Sequence, residues 1–339
     1  MGGVKVKTKK IIKDYYISVI SVLDNDADIL QRFVKETVDV LKENYENYEF
    51  ILIDNDSSDK TAELMDSILK KEECLRYVKL SKKYDTEVAL SAGLDMAIGD
   101  VIITLEPQYD PPKLIPKFVS KTIEKTGIVY GIRTNFDKKM PLSYKVGKEL
   151  FHLFCKVFFE FSPPKNAGFF MGMSRAALNA ITQIKSRSKF LRVFGRKIGH
   201  KIDTIDYKIV LRRRRIRKKS FMESLNYGIS VIFSNSHRPL RVISYLGFIV
   251  AIGNLLYVLA VIIAAYFKRS LIQGWTIVSV QNSIMYFLLF IILVIFVEFS
   301  IRSTETLRDE PPYYVDYEKD SNVMIRNEKQ RRNVYESAR

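Results

Sequence analysis

The stretch YEFILIDNDSSDKTAE, residues 48–63, runs a short apolar segment into a turn of carboxylates and hydroxyls and then into a helix-forming segment. Its first seven residues are rich in Ile, Leu and aromatic side chains and stop at a turn cluster, the pattern of a buried strand. Similar runs recur at residues 17–23, 77–80, 100–106 and 127–133, and between them residues 28–44, 60–71 and 87–98 carry helical patterns. Strands alternating with helices of this length predict an α/β domain whose mainly parallel sheet is covered on both faces. In such sheets ligands collect at the carboxyl ends of strands. Residues 54–59 and 105–110 both occupy such ends, which makes their turns candidate site loops.

The two turns differ in what they offer. Asp59 or Ser58 can cap the helix that follows the first. Asp54 still belongs to the strand and has no capping duty, so its carboxylate is free to accept hydrogen bonds from a nucleobase or ribose. The second turn reads LEPQYDPP, residues 105–112, and places Glu106 and Asp110 among three prolines, an amide and a ring. Two carboxylates at a strand end raise the question of a metal-binding turn.

Bulk properties narrow the class of partner. Lys and Arg number 54 against 38 Asp and Glu, a formal charge of +16 over 339 residues, so the partner is expected to be anionic. Nucleic acid, anionic lipid and a phosphorylated small molecule all qualify. Cys74 and Cys155 stand far apart without a CxxC or Cys/His pattern, which supports neither a disulfide framework nor a zinc site and points to a reducing compartment. His152, His200 and His237 are scattered. Residues 1–15 read as a basic tail without the apolar core of a secretory signal.

Two later stretches favour a membrane. Residues 242–267 contain no charge before Lys268, and their length exceeds the roughly 20 residues needed to cross a bilayer. Residues 277–301 form a second apolar run broken by Gln281, Asn282, Ser283 and Glu298, the last close enough to the helix end to reach interfacial water. A two-helix hairpin spanning residues 241–301 is expected. Arg238 and Arg241 precede it and Arg302 and Arg308 follow, so the α/β domain and both termini are placed in the cytoplasm. The loop residues Lys268 and Arg269 weaken that orientation without reversing it. Gly247 and Gly253 allow close helix packing, as in a homo-oligomer, although their spacing is not GxxxG.

The densest charge block, LRRRRIRKK at residues 211–219, leads through a basic and amphipathic segment, residues 216–240, into the first span. Anionic headgroups attract such clusters, and arginines grip phosphate bidentately. Arg213, Arg214, Arg215, Lys218 and Lys219 are therefore the candidates for phosphate and membrane-lipid contact. Nucleic acid ranks lower because no recognition motif accompanies the run. Gly147, Phe151, Phe154, Phe158 and Phe161 form one helical stripe that suits either the core or an interfacial helix. Residues 302–339 read as a mobile cytoplasmic tail.

Taken in order, ISVISVLDNDADI, FILIDNDSSDKT, ALSAGLDMAIGDVIITLEPQYDPPKLIP, VYGIR, NAGFF and RPLRVISYLG, followed by the apolar runs, resemble glycosyltransferase family 2 enzymes acting on polyprenyl phosphates. The bacterial polyisoprenyl-phosphate glucosyltransferases and the dolichol-phosphate mannose synthases are the nearest groups, and the likeness covers residues 16–305. It implies a nucleotide-sugar-binding domain of the GT-A type over residues 16–215. The donor would be a nucleotide sugar such as UDP-glucose, the acceptor a polyprenyl phosphate, and the product a step in cell-surface glycan assembly. Residue by residue, Asp54 falls on the uridine-contacting aspartate, and Leu23, Asp24 and Asp56 fall on its neighbours in the nucleotide site. Glu106 and Asp110 fall on the turn that holds Mg²⁺ or Mn²⁺. The chain departs from the family in having Asp54-Asn55-Asp56 for Asp-Asp-Gly, a metal turn one residue shorter, and Asn166-Ala167-Gly168-Phe169-Phe170 where Asp-Ala-Gly-Asp-Phe is expected. Phe169 stands at the place of the general base and cannot take a proton. The alternative to an active transferase is a catalytically impaired member acting as a scaffold partner in membrane glycan synthesis.

Overall fold

The computed structural model describes residues 15–125, 127–135, 166–183, 199–213, 275–307 and 311–324, with isolated positions between 245 and 256. These divide into two compact units, one holding the sheet together with the segment from Pro311 onward, the other holding the apolar helix. Most of the first span, the aromatic stripe at 147–161 and the basic residues 214–219 lie outside the described residues.

The sheet unit follows the expected alternation. Strand β1 (Ile17–Leu23) leads to helix α1 (Ala27–Asn44), β2 (Tyr48–Asp54), α2 (Thr61–Leu69), β3 (Leu75–Leu80), α3 (Thr86–Met96) and β4 (Val101–Thr104). Then come α4 (Ile115–Lys125), β5 (Ile128–Arg133), β6 (Ala167–Ser174), α5 (Arg175–Thr182) and β7 (Ile202–Tyr207). Helix α6 (Trp275–Leu307) belongs to the other unit, and β8 (Val315–Asp320) returns to the sheet.

Among the described residues the sheet has eight strands in the order β7-β5-β6-β4-β1-β2-β3-β8. β1 pairs in parallel with β2 and β4, β2 with β3, and β5 with β7, whereas β6 is antiparallel to β4 and β5. Every residue of β2 is buried, as a strand covered on both faces requires. One face packs against Leu30, Phe33, Val34 and Val38 of α1 and against α4; the other packs against Ala89, Leu90 and Leu94 of α3 and against α5. β1 lies between β2 and β4, so the chain leaves it in one direction toward β2 and β3 and resumes on its other side with β4. That reversal opens a crevice at the carboxyl ends of β1 and β4, where such folds bind ligands.

The segment after residue 302 corrects an expectation. Its charged sequence VDYEKD pairs antiparallel with β3 as an edge strand instead of trailing as a mobile tail. Periodicity could not reveal this, because β8 buries almost nothing and is fixed by backbone hydrogen bonds to an otherwise open edge.

α6 contains the stretch 284–301, which among the described residues is long and apolar enough to cross a membrane and has none of its length buried. Tyr286, Phe287, Phe290, Val294 and Phe296 are all exposed. A contiguous apolar surface of that size is unstable in water and suits lipid.

Candidate active site

Two loops meet at the crevice. After β1 the chain turns through Asp24 and Asn25, which takes the left-handed conformation at φ 55°, to Asp26 at the mouth of α1. The turn after β2 is laced to it: Asn25 N–H donates to Ser57 Oγ at 3.0 Å, Ser58 N–H to Asn25 Oδ1 at 2.9 Å and Ala27 N–H to Asp59 Oδ2 at 3.1 Å. Asp59 also accepts Thr61 N–H at 3.0 Å, and in this way steadies the starts of α1 and α2 together. Asp56 is exposed with φ 56°, a conformation Asp tolerates. Asp24 accepts from Lys83 Nζ at 2.9 Å, and the buried Leu23 gives its carbonyl to Asn55 N–H at 3.0 Å.

Asp54 is fully buried, and the expectation that its carboxylate has no local duty is not met. One oxygen accepts Ser57 N–H at 2.8 Å and the other accepts the Tyr77 hydroxyl from the neighbouring strand. Burial raises the Tyr77 pKa, and the adjacent Asp54 charge adds to the rise, so the hydroxyl remains a donor.

The turn after β4 is held shut from inside. Glu106 N–H donates to Asp110 Oδ2 at 2.8 Å, closing the loop on itself. Asp110 is fully buried, and its Oδ1 accepts both Arg133 Nη2 at 3.0 Å and the Tyr207 hydroxyl at 2.5 Å. The same Arg133 nitrogen pairs with Glu106 Oε2, while Arg133 Nε donates to Tyr207 at 3.0 Å. The guanidinium also lies 4.9 Å from the centre of the Tyr109 ring. Its seat requires Gly168, because a Cβ there would stand 2.6 Å from three guanidinium atoms. Burial lowers the Arg133 pKa, but Glu106 and Asp110 outweigh it and hold the group well above its ordinary value. Burial pushes the Asp110 carboxyl up against the pull of Arg133.

This arrangement does not fit a divalent cation. Asp110 Oδ1 already accepts two donors, which fill the lone-pair directions a metal would use. Glu106, the second expected ligand, is paired with the same arginine. Removing the guanidinium would leave a buried carboxylate uncompensated, at a cost on the order of 3–5 kcal/mol.

The start of the basic run fastens the two loops together. Arg212 donates from Nη1 to the carbonyls of Pro107 at 2.7 Å and Asp110 at 3.0 Å, and from Nη2 to Glu36 at 2.8 Å. Arg213 reaches the other way, with Nε 3.0 and 2.9 Å from the two Asp28 oxygens, an Nη2 bond to the Asn25 carbonyl, and Asp26 at 3.2 Å. Its hydrogen bond holds Asp28 below the usual carboxylate range. Arg213, a candidate for phosphate, is thus committed to carboxylates, whereas Arg214, Arg215, Lys218 and Lys219 fall outside the described residues. Across the crevice Gln108 Nε2 donates to Asp26 Oδ1 at 3.2 Å. Burial lifts the Asp26 carboxyl to about 6, opposed by the Asp24 N–H, Arg213 and Gln108.

Phe169 lies on β6 next to β4, where its carbonyl accepts the Thr104 hydroxyl at 2.5 Å. Sequence reasoning missed Arg133, Tyr207, Arg212 and Asp26. The available signal was a charge closing an apolar strand, as in GIVYGIR, but strand order was needed to show which carboxylates it meets.

Residues 18–182 match the model of the family described as Glycosyl transferase family 2. Those residues are a glycosyltransferase family 2 domain. The chain is, by this domain, a glycosyltransferase. It is 24% identical over 299 residues to the uncharacterized glycosyltransferase YkcC of Bacillus subtilis, covering 88% of this chain and 92% of that relative. It is 28% identical over 258 residues to the undecaprenyl-phosphate 4-deoxy-4-formamido-L-arabinose transferase of Photorhabdus laumondii, covering 74% and 78%. Among solved structures, glucosyl-3-phosphoglycerate synthase from Mycobacterium tuberculosis in complex with Mn²⁺ and UDP-glucose gives a TM-score of 0.47 at 14% identity, covering 68% of this glycosyltransferase and 80% of that chain.

Proposed function

We propose that this glycosyltransferase moves a hexose from a nucleotide sugar of the UDP-glucose kind to the phosphate of a polyprenyl phosphate, at the cytoplasmic face of a membrane, for cell-surface glycan assembly. The observation that carries the reading is the crevice itself. The β1, β2 and β4 ends bring Asp24, Asp54, Asp56 and the Glu106–Asp110 turn to one end of the sheet, where Arg212 and Arg213 bind the turns after β4 and β1. A donor bound there would meet Asp54 and Asp56 near its nucleoside. Arg214 and Arg215 follow Arg213 within two residues, so their charges are within chain reach of the diphosphate and of an acceptor phosphate. The exposed apolar helix, and a relative named for transfer to undecaprenyl phosphate, support a lipid acceptor.

The chemistry is compatible with Phe169 at the base position. A phosphate monoester has a second pKa near 6, so most of the acceptor is doubly ionised at neutral pH and no proton need be removed from the nucleophile. Its oxygen forms the new bond to the anomeric carbon as the bond from that carbon to the diphosphate breaks, and the electron pair leaves with the nucleoside diphosphate. Fixed positive charges stabilise that leaving group. No step is assigned to a bound cation, because the turn does not fit one.

The test is transfer of radiolabelled sugar from UDP-glucose, UDP-galactose, UDP-GlcNAc and GDP-mannose to polyprenyl phosphate by the purified full-length protein. Product from at least one donor is expected, with turnover lowered about 10- to 100-fold when Arg214, Arg215, Lys218 and Lys219 are all replaced by alanine. A folded protein that makes no product from any donor would turn the reading to a scaffold partner.

A further inference from the structure

We infer that Arg133 is the resident cation of the Glu106–Asp110 turn, and that this chain binds its nucleotide donor without a divalent metal. The inference rests on the reading of that turn as part of the donor site.

Three independent features build the seat. Arg133 closes β5, and β5 lies in the sheet beside β7, so Tyr207 at the end of β7 comes level with it in parallel register. The Tyr207 hydroxyl and the guanidinium then converge on one Asp110 oxygen, while the other oxygen takes the Glu106 N–H. On the β6 side, Gly168 leaves room for the guanidinium, since a Cβ there would stand 2.6 Å from it. Glu106, which a metal would need as second ligand, is drawn to the same nitrogen. A +1 group of fixed geometry therefore stands where a +2 ion would otherwise bridge carboxylates to diphosphate.

The turn itself supplies the reason. With Pro107 inside it, the loop 106–110 closes through the Glu106 N–H to Asp110 bond, and both carboxylates pair with Arg133. The charge they carry is consumed within the protein. Arg133 is accordingly a positioning residue: it fixes the turn that faces the donor, the turn that Arg212 also fastens through the Pro107 and Asp110 carbonyls.

The test titrates Mn²⁺ into the purified full-length protein and follows the free-ion signal by electron paramagnetic resonance, without nucleotide and with UDP, each against a protein-free control. UDP affinity is measured by calorimetry in chelator and in Mg²⁺. Wild type is expected to remove no Mn²⁺ beyond the control, and to bind UDP with affinities that agree within about twofold in the two buffers. Arg133→Gln frees both carboxylates and is expected to gain a bound Mn²⁺ that Arg133→Gln/Glu106→Gln loses again, a gain that a merely structural role would not produce. Arg133→Lys, which keeps the charge, is expected to stay metal-free. If Arg133→Gln fails to fold, the wild-type titration decides alone. One Mn²⁺ bound per wild-type chain and lost in Glu106→Gln would overturn the inference. A wild type that binds no UDP in either buffer would instead count against the donor reading, while the nucleotide-free Mn²⁺ titration still judges Arg133.

Discussion

Asp26 shows how a single side chain at the crevice records its cost. It is 2% exposed, and burial lifts its carboxyl from 3.8 to about 6 despite Arg213, Gln108 and the Asp24 N–H. Between those two values the folded chain keeps a proton that the unfolded chain has released. Stability therefore falls as pH rises across that window, and the full penalty, on the order of 2–3 kcal/mol, stands above about pH 6. Asp26→Asn removes the titration while keeping an acceptor for the Asp24 N–H. The variant is expected to unfold at a higher temperature than wild type near pH 8, with a difference that shrinks toward zero near pH 4. Thermal unfolding of both proteins across that range checks it, and a difference that grows on acidification would sink the argument. The residue scale is also where the sequence was only half legible. Asp54, Glu106 and Asp110 stood out because each ends or follows an apolar strand. Arg133 and Tyr207 did not, since their partners lie 23 to 97 residues away and become visible only when β5, β7 and β4 are placed in one sheet.

At the scale of elements, helix period and strand composition located β1 to β5 and α1 to α3 because all of them bury apolar faces. β8 escaped the same reading because what holds it is not burial. It is held by the ladder to β3 and by bonds at each end: Cys74 N–H to the Val323 carbonyl at 2.7 Å, Ser321 N–H to Leu75 at 2.9 Å, and Ser81 N–H to Tyr314 at 3.0 Å. Arg76 pairs with Glu318 at 3.0 Å, and Lys319 with Asp66 at 2.8 Å. The alternating charges of VDYEKD then serve the new edge, since a charged edge strand resists pairing with other chains. Tyr317 also packs on Tyr77, the residue that donates to Asp54, with ring centres 6.1 Å apart. Truncation after residue 310 uncovers the β3 edge. At about 2–4 °C per kcal/mol for a domain of this size, a melting temperature lowered by roughly 5 °C is expected, together with concentration-dependent self-association in light scattering. An unchanged melting temperature and a monodisperse truncated protein would show that β8 adds nothing.

On the scale of the whole molecule, the same strand constrains the path of the chain. β1 to β7 precede residue 213 and β8 begins at Val315, yet all of them share one sheet, so both segments lie on one side of any membrane. Between them lies the apolar stretch 284–301. One crossing would deliver β8 to the opposite side, so a crossing by that helix demands a second within residues 214–274. The uncharged run 242–267 is the segment with the length and composition to make it. The basic flanks Arg238, Arg241, Arg302 and Arg308 agree with this path, whatever the effect of Lys268 and Arg269 in the connecting loop. Single-cysteine labelling in a chain lacking Cys74 and Cys155 tests it. Ser270→Cys is expected to react with a membrane-impermeant maleimide added to intact cells, whereas Ser337→Cys reacts only after permeabilisation. If both positions label alike on intact cells, the second crossing does not exist and α6 does not span. If the pattern is reversed, the hairpin stands but the sheet faces outward, away from the cytosolic nucleotide sugar that the crevice is proposed to hold.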